Sequence, residues 1–375
     1  MRIVVAIDSF KGSLTSAQAG EAVKAAALKA DKNTKVTIFP IADGGEGTVD
    51  ALSAGLNGIK RTVCVNGPLG TPVDATYCIL PNHTAVIEMA AAAGLPLVPE
   101  EKRNPMETTT YGVGELIHDA IEQGCRHFIV GIGGSATNDG GAGMLMALGC
   151  QMQDEEGMPI PFGAKGLRML KNICVDTMLP QLQECTFRIA CDVNNPLCGE
   201  TGCSAVYGPQ KGATSEMIDQ MDGYLASFAA LTDMTVPDTD MCYPGAGAAG
   251  GLGFAFMAYL NATLEPGIQI IMEETGLAAA IGDADLVITG EGRLDSQTVM
   301  GKTPIGVAKL AKKYNKKVIA FSGCVAPGAE CCNDHGIDAY FPILRNITTL
   351  EETMKPEKAY QNLTDTAYQV FRLLL

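Results

Sequence analysis

The chain has 375 residues, long enough that two domains is the default expectation, and its 47% apolar and 18% charged residues describe a globular protein rather than a disordered one. A net charge of −15, from 27 basic and 42 acidic residues, argues against a broad nucleic-acid or anionic-membrane surface, and any anionic ligand must be met by locally gathered Lys and Arg. Thirteen cysteines without a CxxC pair and four scattered histidines argue against zinc.

Met1 and Arg2 lead into five apolar residues before Asp8, a buried-strand run over 3–7 and not a signal peptide. With no secretory signal the protein is expected to be cytoplasmic and its cysteines reduced and mostly buried. After the turn 8–13, Thr15 and Gln18 have capping-box spacing, and the Ala-rich segment 17–30 predicts a helix. A strand over 36–41 then meets Asp43-Gly44-Gly45-Glu46-Gly47, and a helix follows over 48–54. This βαβα opening predicts a parallel sheet covered by helices. Short β-rich runs at 61–65, 75–79 and 85–89, broken by Gly-Pro and Pro-Asn turns, predict a small antiparallel section. Helical spacing returns at Leu116, Ile117, Ala120 and Ile121 and closes at Gly124. A strand over 127–130 enters a glycine loop over 131–143, and a helix runs to Leu148.

The middle of the chain mixes loops with short strands such as 186–190. Residues 242–264 carry no charge, as a membrane span would, but Pro244, five glycines and Asn261 favour a Gly-rich loop and a core helix. The α/β rhythm resumes with strands at 285–289, 317–321 and 339–342 and helices at 306–314 and 360–374. The expected fold is α/β: a doubly wound parallel-sheet domain built from residues 1–60 and 285–375, with part of 100–150 joining it, and a second α/β domain inserted over 61–284.

Three loops imitate nucleotide motifs. Residues 131–136 fit G-x-G-x-x-A after a predicted strand, and 245–250 fit G-x-G-x-x-G after a polar loop. Gly301-Lys302-Thr303 resembles the end of a P-loop, but Ser296 stands where that motif needs its first glycine. The dinucleotide reading also lacks its acid at the end of a second strand, since Asp154, Glu155 and Glu156 sit in a hydrophilic turn. What the loops share is backbone N–H groups near helix starts, which suits anions, although turn-forming glycines explain any one of them as well.

Seven segments, taken together, carry a resemblance. They are 6–14 (Ala-Ile-Asp-Ser-Phe-Lys-Gly-Ser-Leu), 42–48 around Asp43-Gly44-Gly45-Glu46, and 132–141 (Ile-Gly-Gly-Ser-Ala-Thr-Asn-Asp-Gly-Gly). The others are 190–197 around Asp192-Val193-Asn194-Asn195-Pro196, 208–213, 244–251, and 288–297 (Ile-Thr-Gly-Glu-Gly-Arg-Leu-Asp-Ser-Gln). In this order, from about residue 3 to residue 345, they resemble the type I glycerate kinase family. One departure is Ile7, where many members have Pro before the Asp. The resemblance implies ATP-dependent phosphorylation of (R)-glycerate, commonly at the 2-hydroxyl, giving 2-phosphoglycerate and ADP. It further implies a flavodoxin-like domain, a restriction-endonuclease-like inserted domain and an active site between them, with ATP and Mg²⁺ as cofactors and no nucleic-acid or membrane partner. Monomer and homodimer both stay open.

Phosphoryl transfer needs positioning and charge neutralisation, and often a carboxylate near the attacking hydroxyl. Lys11, in the first strand-to-helix turn with Ser9, and Arg293 and Lys302, which bracket Asp295, are candidates for phosphate or carboxylate contact. Gly133, Gly134, Ser135 and Asn138 of the glycine loop are further ligand candidates. Arg103 is a candidate bidentate clamp for the substrate carboxylate. Asp8, Asp43, Asp192 and Asp295 sit at or beyond predicted strand ends, where a lone Asp more often caps a helix or forms an Asx turn. Four together would divide between a metal and a base. Asp192 is the first choice for the base and Asp295 the second, with Asp8 and Asp43 as metal candidates. Asp43 and Glu46 would orient Lys11 or reach the metal through water. The rival readings are an NAD-dependent hydroxyacid dehydrogenase and a non-catalytic small-acid-binding protein.

Overall fold

The computed structural model describes residues 1–45 and 47–374. Its strands begin, in chain order, with β1 (Arg2–Ile7), β2 (Lys35–Ile38), β3 (Ile59–Asn66), β4 (Pro72–Ile79), β5 (Thr84–Glu88) and β6 (His127–Gly131). There follow β7 (Gln151–Gln153), β8 (Asn172–Cys174), β9 (Thr186–Ala190), β10 (Thr263–Glu265), β11 (Leu286–Leu294), β12 (Lys317–Val325) and β13 (Ala339–Pro342). The chain divides into two compact units. Met1–Asp43, Asp50–Asn57 and Ile268–Leu375 form the first, and Gly44–Val49 with Gly58–Gly267 form the second.

In the first unit one all-parallel sheet runs in the order β13-β12-β11-β1-β2. Ile3 to Ile7 of β1 are all buried because helices cover both faces of a parallel sheet, so no alternation survives in the sequence. The helix Ser16–Ala30 starts on a reciprocal capping box, with Thr15 and Gln18 each accepting from the other's backbone N–H. It buries Ala19, Ala22, Val23, Ala26 and Ala27, and small side chains let the C-terminal helix Pro356–Leu374 pack closely against it. That last helix buries Ala359, Leu363, Ala367, Val370 and Phe371 at helical spacing.

Two strands outrun the expectation. β11 continues to Leu294 and β12 to Val325, since pairing persists from Glu291↔Ser322 to Leu294↔Val325. Gly290, Glu291, Gly292 and Arg293 on β11 and Ser322 and Gly323 on β12 break the apolar runs in sequence, yet the ladder continues through them to the carboxyl ends of both strands. β2, by contrast, stops at Ile38, just before Pro40, which has no N–H to offer a ladder.

The second unit carries a mixed sheet, β10-β9-β6-β5-β4-β3. Its first four strands are parallel, and β4 and β3 add the antiparallel pairs. β7 and β8 form a separate antiparallel pair. Phe128 of β6 stacks on Phe187 of β9 at 4.7 Å. Asp119 accepts from Arg61 Nε at 2.7 Å and from the Tyr77 hydroxyl at 2.6 Å, tying the outer strands to the helix Tyr111–Glu122. Residues 100–150 lie in this unit, not the first, because β6 pairs between β5 and β9. The uncharged stretch after Cys242 is a glycine loop and the buried helix Ala248–Leu260. No helix among the described residues is long and apolar enough to cross a membrane. All thirteen cysteines are free; Cys78, Cys125, Cys150, Cys203 and Cys332 are buried, whereas Cys64 and Cys242 are exposed, so burial is less general than expected.

Gly290 lies within the β11–β12 ladder, where an added Cβ would stand 2.0 Å from the Phe321 carbonyl oxygen. Gly290→Ala should therefore cost roughly 1–3 kcal/mol, since the clash is with backbone and not a movable side chain. Denaturant unfolding measures this, and an unchanged midpoint would show that the ladder opens freely.

Candidate functional site

The first unit holds a cavity of about 410 Å³ at the carboxyl ends of β1, β11 and β12. That edge is where a parallel sheet gathers ligands. Asp8, Ser9 and Lys11 reach it from the turn after β1, Asp43 from beyond β2, and Glu291 and Arg293 from the end of β11. Lys302 joins as the N-cap residue of the helix Thr303–Lys313, which begins three residues earlier than its periodicity suggests.

Asp8 is 5% exposed. Its carboxylate accepts from the Ser9 N–H at 2.6 Å and the Thr303 hydroxyl at 3.2 Å. Burial and then the Asp43 charge push its pKa up to about 6, against those hydrogen bonds and the opposing pull of Lys11. Burial also pushes Glu291 up to about 7, although Lys302 stands 3.8 Å away and the Thr298 hydroxyl donates to it at 2.9 Å. Lys11 Nζ donates to Asp43 at 3.4 Å. Arg293 Nε lies 3.2 Å from Asp295 and Lys302 Nζ lies 4.0 Å from it. Asp295 also accepts from the Gln297 N–H at 2.9 Å, so it forms an Asx turn as well as an ion pair.

Thus Asp8, Ser9, Lys11, Asp43, Arg293 and Lys302 line one cavity, and Asp295 is bonded to two of its cations. Glu46 lies outside the described residues. Glu291 was missed although it sits inside a segment singled out in the sequence, because nothing in the sequence shows that its carboxylate is buried.

The remaining candidates belong to the second unit. Asp192 follows β9 as expected, is exposed, and accepts from the Gly267 N–H at 3.1 Å, at the start of the helix Gly267–Glu274. Gly133 and Gly134 are exposed, while Ser135 and Asn138 are buried. Asn138 donates to the Ser204 hydroxyl at 2.8 Å, and its Oδ1 has no hydrogen-bond partner, nor has Arg103 Nε. Lys211, which sequence reasoning passed over, is buried, donates to the Thr137 carbonyl at 2.6 Å, and is pushed down to about 8 by that burial.

The glycine loop is no dinucleotide turn. Residues 132–141 separate β6 from the next helix, Ala142–Ala147, so that helix does not begin at the turn as the motif requires. Several of its backbone groups are spent inside the protein, the Ala136 N–H on Ala93 and the Gly140 N–H on Gly250. Asp139 organises the loop's end, accepting from Thr110 N–H and hydroxyl at 2.8 and 2.9 Å and from the Gly141 and Gly143 N–H groups.

A model of the Glycerate kinase family matches residues 3–375. A glycerate kinase of Haemophilus influenzae is 47% identical over 375 residues, 100% of this chain and 99% of that one. A glycerate 2-kinase of Escherichia coli is 47% identical over 97% of this chain and 95% of its own. A solved structure from Salmonella typhimurium LT2, assigned as glycerate kinase 2, superposes with a TM-score of 0.91 at 45% identity and covers 100% of this chain and 98% of that one.

Asp8 and Glu291 bind their protons more tightly in the folded chain than in the unfolded one, so protonation stabilises the fold. That contribution is complete below pH about 4 and is lost as pH rises through about 6 for Asp8 and about 7 for Glu291. Each is worth on the order of 3 kcal/mol. The ligand-free protein should therefore gain stability on going from about pH 8 to about pH 5, and Asp8→Asn with Glu291→Gln should flatten the gain. Melting curves across that range test it; a double variant with the wild-type slope would place the titration elsewhere.

Proposed function

The chain belongs to the glycerate kinase family, and from that premise we propose that it transfers the terminal phosphoryl group of ATP to (R)-glycerate, giving 2-phosphoglycerate and ADP. The observation that carries this reading is the cavity of the first unit, where Lys11, Arg293 and Lys302 converge with Asp8, Asp43 and Glu291 at strand carboxyl ends. A chain of net charge −15 that places three cations around one cavity has the means to hold a polyphosphate. The N-terminus of the helix Thr303–Lys313 adds a partial positive charge beside Lys302. Neither rival reading gains support, since the fingerprint behind the dehydrogenase lies in a loop of a different geometry.

We further propose that the first unit is a flavodoxin-like domain, because its strand order corresponds to the 2-1-3-4-5 pattern of that fold. The second unit is then the inserted α/β domain, its sequence interrupting the first between residues 57 and 268.

Asp8 and Asp43 fit a divalent cation by their chemistry. The Asp43 charge raises the cost of ionising Asp8, and a cation relieves that repulsion. Among the described residues no three or more His, Cys, Asp or Glu side chains are grouped to hold a metal alone. Mg²⁺ is commonly held by one or two carboxylates together with phosphate oxygens and water, which two aspartates would supply. When bound, Mg²⁺ neutralises charge on the transferring phosphate. Lys11, Arg293 and Lys302 bind and orient the same group. Asp192 is proposed to take the hydroxyl proton, ahead of Asp295, whose oxygens are occupied by Arg293 and the Gln297 N–H.

Incubation with ATP, Mg²⁺ and (R)-glycerate should release ADP, with phosphorus NMR showing the phosphate on the 2-hydroxyl and excess chelator abolishing turnover. No glycerate-dependent ADP release would sink the reading.

Two substitutions separate roles. Lys11→Met should lower kcat/KM by about 10²-fold or more while melting changes little, because an exposed lysine contributes roughly half a kcal/mol to stability. Asp192→Asn should lower kcat by about 10²–10⁴-fold if the carboxylate acts as a base. If Asp192 only holds the Gly267 N–H, Asn will serve in its place and kcat will barely move.

A further inference from the structure

The cavity of the first unit has a second half that charge does not explain. Away from the acids and cations, its wall is built by Phe10, Ile343, Leu350, Met354 and Ala359. These come from the turn after β1, the segment after β13, the helix Leu350–Met354 and the start of the C-terminal helix. Glycerate is too small and too polar to fill such a space. At about 410 Å³ the whole cavity falls within the range of pockets that bury cofactor-sized ligands, roughly 300–1,000 Å³.

Asn362 lines this apolar half one helical turn beyond Ala359. It is 5% exposed, and no hydrogen bond among the described residues engages its side-chain amide. Its amide lines the cavity, and an amide offers a donor and an acceptor side by side on one edge. Few ligands are anionic at one end and flat and apolar at the other with an adjacent donor and acceptor on the rim. A purine nucleotide is one. Leu344 and Leu350 are exposed at the mouth, Leu350 at 78%, leaving apolar surface where a ring would rest.

Resting on the ATP-dependent reading above, we propose that the apolar half of this cavity is the purine-base site and that Asn362 hydrogen-bonds the base edge. The polyphosphate then extends toward Lys11 and Lys302, and the base contributes affinity apart from the charges. Amide-to-base pairing of this kind discriminates by about 1–3 kcal/mol, which is roughly 5- to 150-fold in a dissociation constant.

The experiment compares binding of ADP and of inorganic tripolyphosphate, both with Mg²⁺, by calorimetry on the full chain. Wild type should bind ADP, and Asn362→Leu should weaken ADP about tenfold or more while leaving tripolyphosphate unchanged. Equal losses for both ligands would make Asn362 a structural residue and overturn the proposal, as would an unchanged ADP affinity. Leu350→Ser, a neutral change at an exposed position, should also weaken ADP while leaving tripolyphosphate unchanged. If Asn362→Leu does not fold, that variant carries the test, and wild-type ADP affinity in it overturns the proposal. A wild-type protein that binds ADP through this half of the cavity but leaves glycerate untouched would remove the proposed activity and leave the base site standing.

Discussion

The pairing of β1 with β11 joins residues 3–7 to 286–290, more than 270 positions apart, and the candidate site exists only once it has formed. Asp8 follows the last pair, its N–H bonded to the Gly290 carbonyl, while Glu291 and Arg293 follow from the other strand. Closing so long a loop costs entropy before any contact repays it, although that cost grows only slowly with length. Non-local parallel pairing of this kind is also slow to form. What repays it is local: fully buried Ile3, Val5, Ile7 and Ile288 in one core with Phe321 and the C-terminal helix. The apolar ladder is therefore the fixed part of the unit, and the charges sit just past its end.

That placement has a cost in stability. Asp8 and Glu291 are held where burial opposes their ionisation, and each has only partial compensation from hydroxyls, backbone N–H groups and nearby lysines. A sequence selected only for stability would exchange them for neutral side chains. Carboxylates kept under strain beside cations are what a site needs when it must meet a charged ligand without reorganising. The same reasoning separates Asp8 from Asp119. Asp119 has a close arginine partner that holds its carboxyl below the usual range, so its role is to fasten strands to a helix.

Much of this architecture was legible in the sequence, for identifiable reasons. Apolar runs named the buried parallel strands, the Thr15–Gln18 spacing named a helix start, and turn-rich β runs named the antiparallel edge. Lys11 and Arg293 lie in the segments that carry the resemblance, Lys302 brackets Asp295 beyond the last of them, and all three line one cavity. The losses also have causes. The expected strands end at 289 and 321, short of Leu294 and Val325. Gly and charge interrupt the apolar run after Thr289, while Ser and Gly interrupt it after Phe321, and pairing between strands is not a local property. Part of 100–150 is expected in the first unit but falls in the second, because a βα pattern does not say which sheet takes the strand. Asn362 had no motif at all. Its interest comes from an amide on the apolar wall of a cavity, which only packing reveals.

The glycine loops show why matching residues do not by themselves mark ligand contacts. Segments 131–141, 208–213 and 244–251 lie far apart in sequence, yet within the second unit they meet. An added Cβ at Gly250 would stand 2.1 Å from the Thr137 carbonyl oxygen, and Lys211 donates to that same oxygen. Ala249, Gly250 and Gly251 all take positive φ, a turn tight enough to bring backbone against backbone. Asp139 spends its buried carboxylate on Thr110 and two loop N–H groups. Within one rare segment, then, Asp139 holds the loop together while its neighbour Asn138 keeps a buried oxygen unpaired, and chemistry, not rarity, tells the two apart.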